Sequence, residues 1–379
     1  MNITVIIPTF NRAAFIAESI ESILNQTHAP SQIIVSDDGS TDDTALVVQR
    51  FGPRITYLRK ENGGKSSAIN SVIPRITGDF VWIMDDDDIA DAKAIENLLH
   101  PLLKDNEIAY SFGFATPSTI ENGLVTSEER TRELPDFFSE SLHLYRLTES
   151  NYFSLNSCLI RGRNFINTAP FDESLIRSQD YDFLIRLSQN ARVKYIEKRI
   201  FWLREHNGIR GSASQPIPHE LRNQAWNLYD RSVGVKIFEL YPDKAFLHPQ
   251  LSETEAEIQS RSISLRKAYI ATTKGLLDVA LQYLESAAQI SKTLKFNLLS
   301  CEHESVNSIF NDKEFIGRIL SDKSFMKRAF LTMRDMPLVR PSRISAKRLY
   351  WNALSSLQDR DLVRASRLML DALRIYSKY

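Results

Sequence analysis

Short apolar runs alternate with helical spacings along the first hundred residues. The β-branched run at 3–7 predicts a strand, and the positions of Phe15, Ile16 and Ile20 then fit one face of a helix. This pairing of a strand with a helix recurs along the segment. Its strands are expected at residues 3–7, 32–36, 55–58 and 80–84. The alternation predicts an α/β fold with a mostly parallel central sheet that helices cover on both faces.

Polar residues lie at the end of each predicted strand. Crossovers between parallel strands are right-handed almost without exception, so the strand ends are expected at one edge of the sheet, where such sheets bind ligands. The residues expected there are Pro8, Thr9 and Phe10, then Asp38, the turn Gly63-Gly64-Lys65, and the run from Asp85 to Asp88. The sequence therefore predicts one binding site that several strand ends share.

The run Asp85, Asp86, Asp87 and Asp88 directly follows the fourth predicted strand. Carboxylates this close together repel each other unless a cation or hydrogen bonds offset the charge. Carboxylate oxygens favour Mg²⁺ or Mn²⁺, so the run predicts a metal-bound phosphate substrate. The alternative is a solvated acidic turn that caps a helix beginning near Asp91.

The pattern changes in the second part of the chain. Between about residues 98 and 210 it is mixed, with strands expected at 108–114 and 192–196 and a helix at 180–189. From about residue 215 it becomes helix after helix. Residues 268–288 and 350–373 resemble each other at helix-hairpin spacing, which suggests a tetratricopeptide-like character, although two imperfect copies fall short of a solenoid.

Composition narrows the function classes. Lys plus Arg equals Asp plus Glu at 47 each, so no overall charge favours nucleic acid as a partner. Cys158 and Cys301 lack metal-ligand spacing and are expected to be small core residues in a reducing compartment. No signal-peptide pattern and no apolar run of roughly 20 residues is seen, so we expect a cytoplasmic protein, with peripheral docking at the inner face of the membrane left open.

Several segments match a known family in order and spacing. They are VIIPTFNR at 5–12, SILNQT at 22–27, IVSDDGSTDDT at 34–44, NGGKSSAIN at 62–70 and the stretch 78–88. Together they resemble the family 2 glycosyltransferases of the GT-A fold. The resemblance covers about the first 210 residues. It implies a GT-A catalytic domain at 1–214, with a nucleotide-binding half at about 1–100 and an acceptor half at about 101–214, followed by an all-α domain at 215–379.

The resemblance gives the strand-end residues roles in binding a nucleotide-sugar donor. Asp38 can accept a hydrogen bond from the base, and Lys65 offers a charge to the diphosphate. The other donor-binding residues are Pro8, Thr9 and Phe10 beside the base, and Asp85 and Asp86 at the ribose or sugar. Asp87 is expected to be the chief ligand of Mn²⁺ or Mg²⁺, although the fourfold repeat leaves Asp86 and Asp88 as alternatives. His206 is expected to complete the metal shell or touch a phosphate. For Asp38 the competing interpretation is a helix-capping loop, and for His206 a solvated loop residue.

Residues 170–173 and 178–187 resemble the acceptor side of the same family. The resemblance implies that Asp180 is the general base, taking a proton from the acceptor hydroxyl. The competing interpretation is an acid that stabilises a helix N-terminus. Two positions depart from the family: Gln179 replaces a usual Glu, which removes a charge beside the base, and Ala92 stands where Pro commonly follows the acidic cluster.

These observations predict an inverting, metal-dependent glycosyltransferase. It would move a sugar from a nucleoside diphosphate sugar, UDP favoured, to a hydroxyl of a saccharide, lipid-linked or protein acceptor. The helical domain would serve acceptor binding, homodimer formation or docking. A nucleotidyltransferase would need a glycine-rich basic loop after the first strand, and a degenerate interaction module would have lost its acids, so both alternatives are disfavoured. The sequence supports a dinucleotide-dependent oxidoreductase even less, since no G-x-G-x-x-G follows that strand.

Overall fold

The computed structural model describes residues 1–121, 124–128, 139–205, 210–212, 215–217, 222–294 and 297–336. The strands are β1 (Ile3–Thr9), β2 (Gln32–Asp37), β3 (Thr56–Arg59), β4 (Phe80–Ile83), β5 (Ile89–Ala90), β6 (Ile108–Glu121), β7 (Leu124–Glu128), β8 (Cys158–Arg161), β9 (Arg192–Arg204), β10 (Arg210–Ser212) and β11 (Gln215–Ile217). The helices of the first part are α1 (Ile16–Leu24), α2 (Thr44–Gln49), α3 (Lys65–Val72), α4 (Ala94–Lys104), α5 (His143–Leu147), α6 (Gly162–Thr168) and α7 (Gln179–Ser188). Those that follow are α8 (Arg222–Leu240), α9 (Ala256–Thr273), α10 (Leu277–Thr293), α11 (Ser300–Asn311), α12 (Lys313–Ser321) and α13 (Lys323–Asp335).

The chain divides into two compact units, Met1–Val233 and Gly234–Tyr379. The division falls inside α8. The boundary predicted after residue 214 rests on the start of the helical sequence pattern, and it stays a prediction.

One mixed sheet organises the first unit, with strand order β3-β2-β1-β4-β8-β6-β9-β5 and β7 paired to β6. The first four strands of this order run parallel to one another, with Val5 opposite Ile33 on one side and Trp82 on the other. Strand β8 is antiparallel to both of its neighbours, while β6 and β9 run parallel. The predicted α/β fold with a mostly parallel sheet is confirmed.

Helices cover both faces of this sheet. Val5 and Ile7 on β1 are buried in a core that includes Ile20 of α1. Alternation along the strand directs Ile6 to the opposite face. There α3 packs on β1 and β2, and Ser36 Oγ donates a 2.7 Å hydrogen bond to the carbonyl of Ala68. A strand buried on both faces needs apolar residues at successive positions, which explains the continuous run at the start of the chain.

Several elements differ from the sequence expectation. The structure inserts the two-residue strand β5 after the acidic run, and α4 begins at Ala94 rather than near Asp91. Strand β6 continues past residue 114 to Glu121 and includes Pro117, a residue type that is uncommon inside sheets. Strand β8 was not predicted, since four residues are too short to show a period. Cys158 is buried as expected, whereas Cys301 is only partly buried.

The second unit is helical in its described residues, as predicted. Helices α9 and α10 form a hairpin through Gly275, whose φ of +67° is the left-handed conformation common after a helix end. Leu265, Leu281 and Leu284 lie in the shared core. The second predicted repeat at 350–373 lies outside the described residues, so the tetratricopeptide-like character stays a prediction. In the part of the chain that the structure describes, no helix is both long and apolar enough to cross a bilayer.

Candidate active site

The predicted convergence of strand ends is present in the structure. Thr9 ends β1 opposite Asp37 at the end of β2, and its carbonyl accepts a 2.9 Å hydrogen bond from the N–H of Asp38. Pro8 and Thr9 are buried, and Phe10 is partly buried. The acidic run follows β4, the other neighbour of β1. These residues therefore lie along one edge of the sheet, as the crossover argument requires.

Asp38 holds the loop that leads into α3. Its carboxylate accepts hydrogen bonds from the backbone N–H groups of Gly63 at 2.9 Å and Gly64 at 2.6 Å. It also accepts from Asn62 Nδ2 at 2.9 Å and pairs with Lys60 Nζ at 3.0 Å. Gly64 has a φ of +91°, a conformation that L side chains rarely adopt. Asp38 thus orders residues 60–64, a role that sequence reasoning did not give it.

Replacing Asp38 should loosen this loop. In Asp38→Ala the glycine N–H groups and the Lys60 ammonium lose their acceptor, so local opening should become easier by about 1–3 kcal/mol. Hydrogen-exchange mass spectrometry should show faster exchange in peptides covering 60–64. Asp38→Asn keeps one acceptor oxygen and should show a smaller change. Unchanged exchange in Asp38→Ala would contradict this role.

Three acids of the run after β4 could share a cation. Asp85, Asp87 and Asp88 each offer a carboxylate oxygen, and the three oxygens lie within 4.8 Å of one another. Asp88 is buried, and its Oδ1 accepts a 2.9 Å hydrogen bond from the N–H of Arg204. The Arg204 side chain donates to the carbonyl of Asp87 at 2.7 Å and also pairs with Glu18. The turn is therefore fixed from β9, and its oxygens suit a hard divalent cation.

Asp86 is not one of these three acids, and its carboxylate lies beside Arg12. The Arg12 Nε lies 3.6 Å from Asp86 Oδ1 and 3.9 Å from Asp87 Oδ2. Burial, together with the adjacent Asp87 carboxylate, raises the pKa of Asp86 to about 8, although Arg12 opposes this rise. The cluster thus carries more negative charge than its surroundings stabilise, and a bound cation would relieve it. Sequence reasoning missed Arg12 as a site residue, although its place just after β1 could have indicated it.

Lys65, the first residue of α3, joins the acidic run to Asp180. Its Nζ lies 2.8 Å from Asp85 Oδ1 and 3.0 Å from Asp180 Oδ2. Burial opposes a charged lysine, but the carboxylates of Asp180 and Asp85 raise the pKa of Lys65. Burial also raises the pKa of Asp180, an effect that Lys65 opposes. The candidate base and the donor-side acids therefore meet across a single ammonium group.

The fold positions Asp180 from two directions. Ser178, just before α7, has a φ of +58°, and its Oγ donates a 2.6 Å hydrogen bond to Asp230 Oδ1. At the other end of α7, Ser188 Oγ lies 2.6 Å from the hydroxyl of Tyr110. That hydroxyl lies 2.5 Å from Nε2 of the buried His143. Both ends of the helix are thus held by buried or half-buried polar contacts, none of which the sequence pattern revealed.

Burial lowers the pKa of His143 to about 3, so its ring is neutral at physiological pH. His206 lies outside the described residues, so its expected place in the metal shell stays a prediction. Gln179, which replaces the family's usual Glu, is buried beside Asp180.

This arrangement defines an α/β domain with an acidic turn that could hold a cation and a carboxylate base candidate beside it. Comparison with known proteins names the class. The "Glycosyl transferase family 2" model matches residues 4–162. These residues are therefore a family 2 glycosyltransferase domain, and the predicted family is confirmed for this part of the chain.

Individual relatives agree with this assignment. The "Chondroitin synthase" of Pasteurella multocida (strain Pm70) is 28% identical over 199 residues, 52% of this chain and 20% of that protein. An "Uncharacterized glycosyltransferase" of Rickettsia felis is 30% identical over 237 residues, 60% of this chain and 38% of that protein. The chain thus spans well under half the length of these two relatives. The crystal structure of S. aureus TarS 1-349 in complex with UDP-GlcNAc matches with a TM-score of 0.51 at 16% identity, covering 88% of this chain and 89% of that one, which shows a shared fold.

Proposed function

We propose that this chain is an inverting glycosyltransferase that moves a sugar from a nucleoside diphosphate sugar to an acceptor hydroxyl. The observation that carries the proposal is the position of Lys65 Nζ, within 3.0 Å of both Asp85 and Asp180. It brings together donor-side acids, a cation for phosphate and a carboxylate that can take a proton. A single displacement needs these groups around one reacting carbon.

The donor would lie along the sheet edge. Its base would sit beside Pro8, Thr9 and Phe10, within reach of Asp38. Because the Asp38 carboxylate already accepts hydrogen bonds from Lys60, Asn62 and the glycine loop, the base would share or replace one of these donors. Lys65 would face the diphosphate, and Asp85 and Asp86 would line the ribose and sugar.

The group of Asp85, Asp87 and Asp88 would hold Mn²⁺ or Mg²⁺, with Asp87 as the chief ligand and His206 as a further one. When bound, the metal would neutralise charge on the departing diphosphate. The three carboxylate oxygens fit such an ion in both chemistry and spacing. Burial and the adjacent Asp87 carboxylate raise the pKa of Asp86, and a nearby cation would offset both effects, which supports the same assignment.

Asp180 would act as the general base. The acceptor oxygen attacks the anomeric carbon while its proton passes to the Asp180 carboxylate. The bond from that carbon to the diphosphate oxygen breaks, and the nucleoside diphosphate leaves with the electron pair. Since attack and departure take place on opposite sides of one carbon, the anomeric configuration inverts.

The donor and acceptor classes follow from chemistry and from the relatives. The TarS structure contains UDP-GlcNAc, which makes UDP-sugars the first donors to test. A relative that is a chondroitin synthase supports a saccharide acceptor, with lipid-linked and protein acceptors as the other classes. A role of the helical domain in acceptor binding, homodimer formation or docking at the inner face of the membrane belongs to the same proposal.

A donor panel tests the proposal. The full chain is incubated with UDP-, GDP- and TDP-sugars, with Mn²⁺, with Mg²⁺ or with EDTA, and both release of the nucleoside diphosphate and thermal stabilisation are measured. We expect at least one UDP-sugar to be hydrolysed and to stabilise the protein only when a divalent cation is present. A chain that neither binds nor hydrolyses any member of the panel would contradict the proposal.

A further inference from the structure

The Lys65 ammonium forms ion pairs with two carboxylates. Its contacts to Asp85 at 2.8 Å and to Asp180 at 3.0 Å use two of its three N–H donors. About a quarter of the Lys65 side chain is exposed, at 23%. The inference rests on the proposed function above. A diphosphate that entered this site would compete with Asp85 and Asp180 for the Lys65 ammonium.

The two carboxylates depend unequally on Lys65. Asp85 is part of the group that could share a metal ion, which would replace lost positive charge. Asp180 has less support: its Oδ2 accepts from Lys65, while its buried Oδ1 has no hydrogen-bond partner among the described residues. An orphaned buried oxygen is costly and invites a donor such as a hydroxyl group.

The backbone under Lys65 is fixed while its side chain can move. Gly63 and Gly64 are anchored by Asp38, and Lys65 begins α3 directly after them. A lysine side chain has four rotatable bonds, so its ammonium can change partners without a backbone change. The contact can therefore switch between Asp180 and a phosphate.

We propose that Lys65 couples donor binding to the acceptor base: it holds Asp180 in an ion pair until the donor diphosphate takes the ammonium, which frees Asp180 for the acceptor hydroxyl. Donor would then bind before the acceptor proton can be removed. The Lys65 ammonium lowers the pKa of Asp180. When the ammonium moves to the diphosphate this effect is removed, so the carboxylate becomes a better proton acceptor when donor is present. While Asp180 is paired with Lys65, an acceptor that binds before the donor would not lose its proton to Asp180.

The proposed coupling predicts that loss of a site residue strengthens nucleotide binding, which a binding experiment can detect. If Asp180 competes with the diphosphate for Lys65, removing the Asp180 charge should tighten nucleotide binding. We expect Asp180→Asn to bind UDP with Mn²⁺ about three- to tenfold more tightly than the unmodified chain in isothermal titration calorimetry, the range of a contacting charged pair. The control Glu140→Gln removes an exposed charge that pairs with Lys194 and should leave the affinity within about twofold.

The same substitution in a Lys65→Met chain distinguishes competition for Lys65 from direct charge repulsion between Asp180 and the diphosphate. In Lys65→Met, UDP should bind more weakly, and adding Asp180→Asn should give no further gain. Lys65→Arg keeps a cation and should keep the coupling, which also guards against a Lys65→Met chain that fails to fold. An unchanged or weaker affinity in Asp180→Asn, or an equal gain in both backgrounds, would overturn the inference. Failure of the unmodified chain to bind UDP, GDP or TDP would instead overturn the proposed function on which the inference rests.

Discussion

Asp180→Asn should abolish nearly all sugar transfer while donor binding survives. The amide cannot take the acceptor proton, and general-base removal typically costs about 10²- to 10⁴-fold in rate. Asn is nearly isosteric with Asp, so α7 and its contacts should persist. The measurement is the rate of UDP release from the UDP-sugar identified in the donor panel, at saturating donor, beside UDP affinity by calorimetry.

The pH dependence gives this prediction a second test. The base acts only when it is deprotonated, and burial raises the pKa of Asp180 above its ordinary value. Activity of the unmodified chain should therefore fall as the pH is lowered through that raised pKa. The residual rate of Asp180→Asn should lack this acidic limb. Full activity in Asp180→Asn, or an unchanged acidic limb, would assign the base to another group, whereas the control Glu140→Gln should behave as the unmodified chain does.

Asp87→Asn should remove most of the divalent-cation dependence. Losing the chief carboxylate ligand should reduce turnover by about 10²- to 10³-fold, because charge on the leaving diphosphate is no longer neutralised. Electron paramagnetic resonance of Mn²⁺ should show correspondingly weaker metal binding. The metal-free protein should keep its thermal stability, since the variant relieves crowded negative charge beside Asp86.

Asp88→Ala provides the contrast to this variant. Asp88 is 1% exposed and binds the N–H of Arg204, so its loss should affect folding of the turn. We expect about 1–3 kcal/mol of lost unfolding free energy in urea denaturation followed by tryptophan fluorescence. If Asp87→Asn instead lowered the unfolding free energy and left Mn²⁺ binding by the folded domain intact, Asp87 would be a structural residue and not the chief metal ligand.

The sequence was sufficient for the parallel part of the sheet and for its shared edge. Strands such as β1 are buried on both faces, so their continuous apolar runs can be recognised without knowing any partner. Acids and glycines that directly follow such strands must then lie near one another, because crossover handedness leaves few other arrangements. Asp38, Lys65 and the acidic run could be placed on this basis.

Contacts between distant segments could not be read from the pattern. The ion pair of Lys65 with Asp180 joins residues 115 positions apart, and no local period encodes it. Arg204 reaches the acidic turn from the end of β9, a strand whose length was underestimated. The short strands β5 and β8 show no period at all, so tertiary pairing rather than local preference creates them.

In the proposed function, one sheet edge binds a nucleoside diphosphate through a cation, next to Asp180. A crystal structure of the full chain with UDP and Mn²⁺ tests it most directly. We expect an anomalous manganese peak within coordination distance of an Asp87 oxygen, with the base beside Phe10 and Asp38 and with the Lys65 ammonium on a phosphate. Manganese and nucleotide bound away from Asp87, with Asp180 facing a different surface, would contradict the account.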